Sequence, residues 1–254
     1  MRTAVFTAIP NVPEIAAGDD LASIIAAALE AMPLELEAGD VLVIAQKIVS
    51  KAEGRHADLD SITPSERARA IAQITLKDPR LVELILSEST RVLRAQRNVL
   101  IVRHRLGFVM ANAGIDLSNV RSESGGPRAL LLPRDPDASA EELRTALRHL
   151  RGVEPGIIIS DSFGRPWRNG VTNVALGAAG VPALVDRRGD PDLYGRPLQV
   201  TEVAWADAVA AAAGLMMGEA AEGSPVVLAR GVTMRAPVRS ANSLIRPLDE
   251  DLFQ

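Results

Sequence analysis

GIIISDSFGRPWRNGVTNVALGAAG, residues 156–180, is the stretch on which the reading of the whole chain turns. Gly156 to Ile159 is a short apolar run of the kind that forms a buried strand. The run breaks into Ser160-Asp161-Ser162, an acid between two hydroxyls, so the strand is expected to end there. A basic, glycine-punctuated turn follows from Gly164 to Gly170, carrying Arg165 and Arg168, and then the small-residue run Ala175 to Gly180. A carboxylate at the end of a buried strand, followed by loop arginines, is a common way for an α/β enzyme to present a metal and a phosphorylated ligand. The competing reading is an Asp that closes its own turn beside solvated arginines.

Two other segments bear on that choice. Val41 to Ala45 is a second continuous apolar run, and it leads straight into Gln46-Lys47 and Ser50-Lys51. Lysines there act as point-charge partners for a phosphate, or they keep a polar hairpin or exposed edge soluble; composition alone favours the second. Gly107 to Ala111 predicts a strand that opens into NAGIDLSNV, residues 112–120, which repeats the sequence of apolar run, turn, acid, hydroxyl and amide. Two strand-end acids, Asp116 and Asp161, would converge on one Mg²⁺ or Mn²⁺, an ion usually held by one or two carboxylates plus phosphate. The alternative is a pair of turns in which each acid satisfies its own backbone. Gly218 to Ser224 brackets Glu219 and Glu222 with glycines; a Glu there could be a third ligand, and the competing reading is an ordinary surface acid near a helix end.

The rest alternates helical and strand-like patterns. Thr3 to Thr7 reads as a strand, and Asp19-Asp20 cap a helix from Leu21 to Met32. Residues 64–97 read as helical around a break at Pro79, with Glu88, Arg91 and Arg94 near the end. Val99 to Val102, Leu130 to Pro133, Pro182 to Val185 and Val226 to Ala229 read as strands. Ala138 to Arg151 is a helix with Ser139 as its cap, and Thr201 to Gly218 a long Ala-rich helix. Asp186 to Pro197, DRRGDPDLYGRP, is a charged turn-rich loop whose arginines, Arg188 among them, could meet an acidic substrate.

At 254 residues, with 47% apolar and 24% charged residues, the chain is an ordinary globular length and composition. No linker is convincing enough to cut it, so one domain is expected over 1–254, with two lobes as the variant. Aromatics are 3% and the net charge is −4, which argues against nucleic acid as a partner. With no cysteine, thiolate chemistry and Cys-based zinc sites are excluded, and three scattered histidines do not form a metal motif. A metal here would take oxygen ligands. GxxxxGK[ST], GxGxxG and GxSxG are all missing. The first fifteen residues lack the layout of a signal peptide, and the longest apolar stretch is too short for a bilayer. A cytoplasmic protein without membrane contact is expected.

GDVLVIAQKIVSKAEGR, NAGIDLSNV, LLPRDPDASAEELR, SDSFGRPWRNGVTNVALGAAG, DLYGRPL and LMMGEAAEGSPV stand in the order seen in one family. From about Phe6 to Arg230 the chain resembles the coenzyme F-420:L-glutamate ligases, in the form without a nitroreductase-like domain. The resemblance implies a mixed α+β fold, γ-glutamyl ligase-like rather than P-loop or Rossmann, assembled as an intertwined homodimer. It implies GTP-dependent addition of L-glutamate by γ-linked amide bonds to the glutamate-free deazaflavin precursor. One and then two glutamates are added, with release of GDP and phosphate.

The same resemblance implies site residues and ions. Asp116 and Asp161 would ligate one divalent metal, and Ser162 and Glu219 a second, as Mg²⁺ or Mn²⁺, with K⁺ as a further ion. GTP would be lined by Val12, Pro13, Glu14, Ile15, Gln46, Lys47, Lys51, Asn119 and the loop Met217, Gly218, Glu219, Ala220, Ala221, Glu222, Gly223, Ser224. That loop departs from the family, reading GEAAEG where a more glycine-rich version is usual. Asp116, Asp161 and Lys51 would carry catalysis by neutralising charge. Arg165, Arg168 and Arg188 are candidate clamps for the acidic acceptor. Two rivals are a relative with a different acidic acceptor, and a non-catalytic deazaflavin or nucleotide binder. The residues without the resemblance reach only a metal-dependent enzyme acting on phosphorylated ligands.

Overall fold

The structure is a computed structural model that describes residues 3–117, 126–232 and 234–251. In chain order, β1 (Val5–Ala8) leads to α1 (Leu21–Glu30), where Asp20 caps the helix by accepting from the Ser23 N–H at 3.1 Å. β2 (Val41–Ala45) passes directly into α2 (Gln46–Ala52). β3 (His56–Asp58), α3 (Glu66–Thr75), α4 (Pro79–Ser87), β4 (Ser89–Gln96), β5 (Val99–His104), β6 (Val109–Ala111) and β7 (Arg128–Leu130) follow. The second half holds α5 (Pro136–Arg151), β8 (Gly156–Arg165), β9 (Arg168–Ala179), β10 (Leu184–Asp186), β11 (Glu202–Ala204), α6 (Trp205–Met217) and β12 (Val226–Arg230).

The largest sheet has the order β1-β12-β2-β8-β9, with β2 and β8 parallel and the other pairs antiparallel. Its two faces follow from the alternation of side chains along a strand. Leu42, Ile44, Ile157 and Ile159 point to the face covered by α1 and α5, while Val41, Val43 and Ile158 point to the face covered by α6. Covered on both faces, these strands are continuous apolar runs, which is why they are readable. An Ile158→Ala cavity costs about 2–5 kcal/mol. A separate core packs α3 and α4 against β5 of the sheet β4-β5-β6. The architecture is mixed α+β, as expected. Among the described residues no helix is long and apolar enough to cross a membrane.

Several expected elements are corrected. The strand from Gly156 does not end at Ser160 but runs to Arg165 and returns through a tight hairpin, so Asp161 lies inside a ladder. Gln46 to Lys51 is helical rather than a hairpin or edge. Residues 89–96 leave the helical region and form β4, paired with β5. The Ala-rich helix starts at Trp205, after Glu202–Ala204 has paired with β10. Asp135, not Ser139, caps α5, accepting from the Ala138 N–H at 3.1 Å.

Candidate active site

Parallel pairing of β2 with β8 puts the carboxyl ends of both strands side by side, Ala45 opposite Ser160. Gln46 and Lys47 at the start of α2 therefore face Asp161 and Ser162, at a strand end where α/β sheets commonly take ligands. The β8–β9 hairpin shifts register between Ile159 and Ser160, where Ile159 opposes Gly177 and Ser160 opposes Ala175. Leu176 is the extra residue of this bulge, and the Ala175 N–H is taken up by Asp207 Oδ1 at 2.9 Å. Bulges of this kind re-aim side chains beside sites.

Two clefts open on either side of this wall. The first, about 380 Å³, is lined by Val12 to Ile15, Gln46, Lys47, Lys51, Ser160 to Ser162, Asn173, and the loop residues Met217 to Ala220, Gly223 and Ser224. The second, about 550 Å³, holds Met110, Asp116, Phe163, Arg165 and Arg168. Gln46, Lys47, Asp161 and Ser162 line both. Each is of small-molecule dimensions.

The wall is rich in acid. Burial raises the Asp161 carboxyl to about 7, against the Ser162 N–H and Lys47; the charges of Asp116 and Glu219 push it the same way as burial. Lys47 Nζ lies 2.6 Å from Asp116 Oδ2. Gln46 is buried, its Oε1 accepts from Ser50 Oγ at 2.8 Å, and its Nε2 has no hydrogen-bond partner among the described residues. Asp116, Asp161, Glu219 and the Ser162 hydroxyl line the two clefts beside Lys47; they are hard oxygen donors with excess negative charge, of the type that Mg²⁺ or Mn²⁺ takes. Among the described residues no three acidic or imidazole side chains stand together as a metal cluster. An ion of this kind usually takes one or two protein carboxylates and completes its shell with phosphate and water.

Most predicted positions fall on these clefts. Ala221 and Glu222 do not: Glu222 turns back to accept the Ala220 N–H at 2.8 Å and shapes the loop instead. Arg188 lines neither cleft; it is held on its own loop by Asp186, at 2.9 and 2.6 Å, and faces Glu202 at 3.4 Å. Asn119 lies outside the described residues. Sequence reasoning missed Ser160 as a lining residue, Ser50 behind Gln46, and Asn173. An asparagine among small residues in a buried strand was the available signal for the last.

The fold and the paired clefts define a mixed α+β protein with a two-chambered site of small-molecule size at the ends of parallel strands. The chain belongs to the F420-0:Gamma-glutamyl ligase family, whose profile matches residues 10–231. It is 48% identical over 251 residues to the coenzyme F420:L-glutamate ligase of Methanopyrus kandleri, covering 97% of this chain and 96% of that protein. The protein of the same name from Methanothermobacter thermautotrophicus is 47% identical over 249 residues, 97% of each chain. That from Archaeoglobus fulgidus is 42% identical over 254 residues, all of this chain and 97% of the relative.

Proposed function

We propose that this chain is a coenzyme F420-0:L-glutamate ligase that uses GTP to add one and then a second γ-linked glutamate to the deazaflavin precursor. The observation that carries the proposal is the shared wall: Gln46, Lys47, Asp161 and Ser162 belong to both clefts. A nucleotide in the first cleft and an acidic acceptor in the second would meet there. The relatives named as coenzyme F420:L-glutamate ligases supply the acceptor and the amino acid.

The chemistry runs in two displacements. An oxygen of the acceptor carboxylate attacks the γ-phosphorus of GTP, the bond to GDP breaks, and an acyl phosphate forms. The glutamate amine then attacks the acyl carbon, phosphate leaves, and the amine gives up its proton to solvent. Both transition states ask for charge neutralisation more than for a protein nucleophile. Lys47 and Lys51 stand in the first cleft for the phosphates, and Arg165 and Arg168 in the second for the acceptor's anionic groups. Asp116 with Asp161, and Ser162 with Glu219, would hold two divalent ions, which neutralise phosphate charge when bound. A homodimer and a K⁺ ion, as in the family resemblance, belong to the same proposal.

Purified protein with GTP, Mn²⁺, L-glutamate and F420-0, followed by mass spectrometry, tests it. Products heavier by one and two glutamyl units, lost in Asp161→Ala, are expected. GTP hydrolysis without a glutamylated product would move the acceptor elsewhere, and no GTP binding would sink the proposal.

A further inference from the structure

We propose that Asn173 is a positioning residue for Glu219, seated by Ser160 and by the absence of a side chain at Gly214. The inference rests on the reading of Glu219 as a ligand of the second metal. Glu219 lies on the exposed loop after α6, and the hydrogen-bond partner that the described residues give it is Asn173, whose Nδ2 donates to Oε1 at 3.3 Å. Asn173 itself is buried in β9, three residues before the bulged Leu176. A short polar relay thus runs from the sheet interior to an exposed loop carboxylate, across 46 residues of sequence.

The orientation of the amide follows from chemistry. A carboxylate only accepts, so the group of Asn173 that faces Glu219 must be its NH₂. Its oxygen then faces the interior, where Ser160 Oγ donates to Oδ1 at 3.3 Å. Ser160 is 1% exposed, so this hydroxyl is not exchanged for water. Its other neighbour is Met217 Sδ at 4.0 Å, a weak acceptor that does not compete well with an amide oxygen.

Gly214 supplies an independent observation. It sits inside α6, where glycine costs about 1 kcal/mol relative to alanine. A Cβ at that position would collide with Asn173 Nδ2 and lie 2.9 Å from its Cγ. The helix therefore gives up propensity where the Asn173 amide crosses it. An amide with no role beyond filling space would leave room for an alanine and a smaller strand residue. The pair Asn173 and Gly214 instead keeps a donor aimed at the mouth of the first cleft, which Asn173, Gly214's neighbour Met217 and Glu219 all line or border.

The test reads metal binding apart from turnover. Mn²⁺ titration by electron paramagnetic resonance, with and without GDP, is carried out on the wild type, Asn173→Ala, Gly214→Ala, Glu219→Gln and the double variant Asn173→Ala/Glu219→Gln. Removing a group that orients a ligand typically weakens metal binding by about 10–100-fold. Asn173→Ala is expected to lose about tenfold in affinity for one Mn²⁺ while leaving the other unchanged. Gly214→Ala, which displaces the amide without removing it, is expected to do the same to a smaller degree. In the Glu219→Gln background the Asn173 substitution should add nothing, because its effect passes through that carboxylate. Wild-type Mn²⁺ affinity in both Asn173→Ala and Gly214→Ala overturns the inference, as does a full additional loss in the double variant. Should Asn173→Ala not fold, Gly214→Ala against Glu219→Gln decides alone. A wild type that binds no Mn²⁺, with or without GDP, would instead refute the ligase reading on which the inference stands.

Discussion

Two clusters of enclosed charge in this chain have opposite balances. At the start of β4, Glu88 is surrounded by Arg55 at 3.0 Å, Arg105 at 3.1 Å and His104 at 3.4 Å, and its side chain is 13% exposed. His104 Nδ1 accepts the Leu106 N–H at 3.0 Å, which leaves the ring proton on Nε2, toward Glu88. Arg55 and Arg105 each give one further donor to a carbonyl, Arg55 Nε to Leu132 and Arg105 Nη1 to Arg134. Burial alone would raise the Glu88 carboxyl, but these three partners outweigh it and hold it at about 2. At the cleft wall the sign is reversed: Asp161 is pushed up to about 7, with two further acids adding to the effect of burial while the Ser162 N–H and Lys47 oppose it. A closed network is what structure needs; an excess of acid at a cleft is what a bound cation would relieve.

Substitutions at the two centres should therefore part company, and the widest separation is expected at Asp161. Asp161→Asn should lower product formation by at least about 10²-fold, the scale of losing one electrostatic stabiliser of a transition state. Stability should move the other way. The folded chain holds the Asp161 proton more tightly than the unfolded chain, so its contribution is full below pH 3.8 and is lost as pH rises through about 7. Metal-free Asp161→Asn should thus melt higher than the wild type at pH 8, and the difference should vanish below pH 4. A lower melting temperature at pH 8 would mean that Asp161 is part of a balanced network after all.

Glu88→Gln should do the converse. The native carboxyl is depressed from 4.5 to about 2, so its contribution is present above pH 4.5 and is lost as pH falls through about 2. Removing the charge leaves two arginines facing a neutral amide, and denaturant titration at pH 7 should show a loss of about 3 kcal/mol. Mn²⁺ and GTP affinities should stay at wild-type values. A Glu88→Gln protein of normal stability that no longer bound Mn²⁺ would erase the distinction between the clusters.

A smaller effect is expected on the substrate side. Arg165→Ala and Arg168→Ala should each raise KM for the deazaflavin acceptor about tenfold, the worth of one charge-assisted contact, and leave KM for GTP unchanged. A rise in KM for GTP instead would put the nucleotide in the second cleft and exchange the roles assigned to the two chambers.

How legible these regions are in sequence follows their physics. VLVIA and GIII are plain because a strand covered on both faces must be apolar throughout. Asp20 announces α1 because its carboxylate works locally, accepting from both the N–H and the hydroxyl of Ser23. β4 is opaque: STRVLRAQ alternates only loosely, its ladder with β5 carries two register shifts, and its arginines read as the tail of the preceding helix. α2 is hidden because it begins directly after the last strand residue, Ala45, whose side chain cannot cap it. The acids of the site, Asp116, Asp161 and Glu219, stand out as charges beside turns, and the residues that set their geometry do not. Asn173 and Gly214 meet only through the packing of α6 on β9, and no local pattern links them. Arg188 shows the opposite case, a basic residue that stands out in a charged loop and whose partner lies two positions away.

Arg188 is also where the smallest effect is expected. Its guanidinium is exposed, bonds both oxygens of Asp186, and reaches Glu202 on the neighbouring strand, so its charge is answered on its own loop. The same contact holds Asp186 at about 2 and raises the guanidinium in turn. Exposed pairs of this kind contribute little to stability because water and salt screen them. Arg188→Ala should therefore leave the melting temperature, KM for GTP and KM for the acceptor within error of the wild type. Arg165→Ala, assayed alongside, supplies the positive control. If Arg188→Ala nevertheless raises the acceptor KM as Arg165→Ala does, the loop of residues 186–197 must reach a cleft other than those of its own chain. The nearest source of such a cleft is a second copy, and mixing Arg188→Ala with Asp161→Asn subunits would then restore part of the wild-type acceptor KM that Arg188→Ala alone has lost.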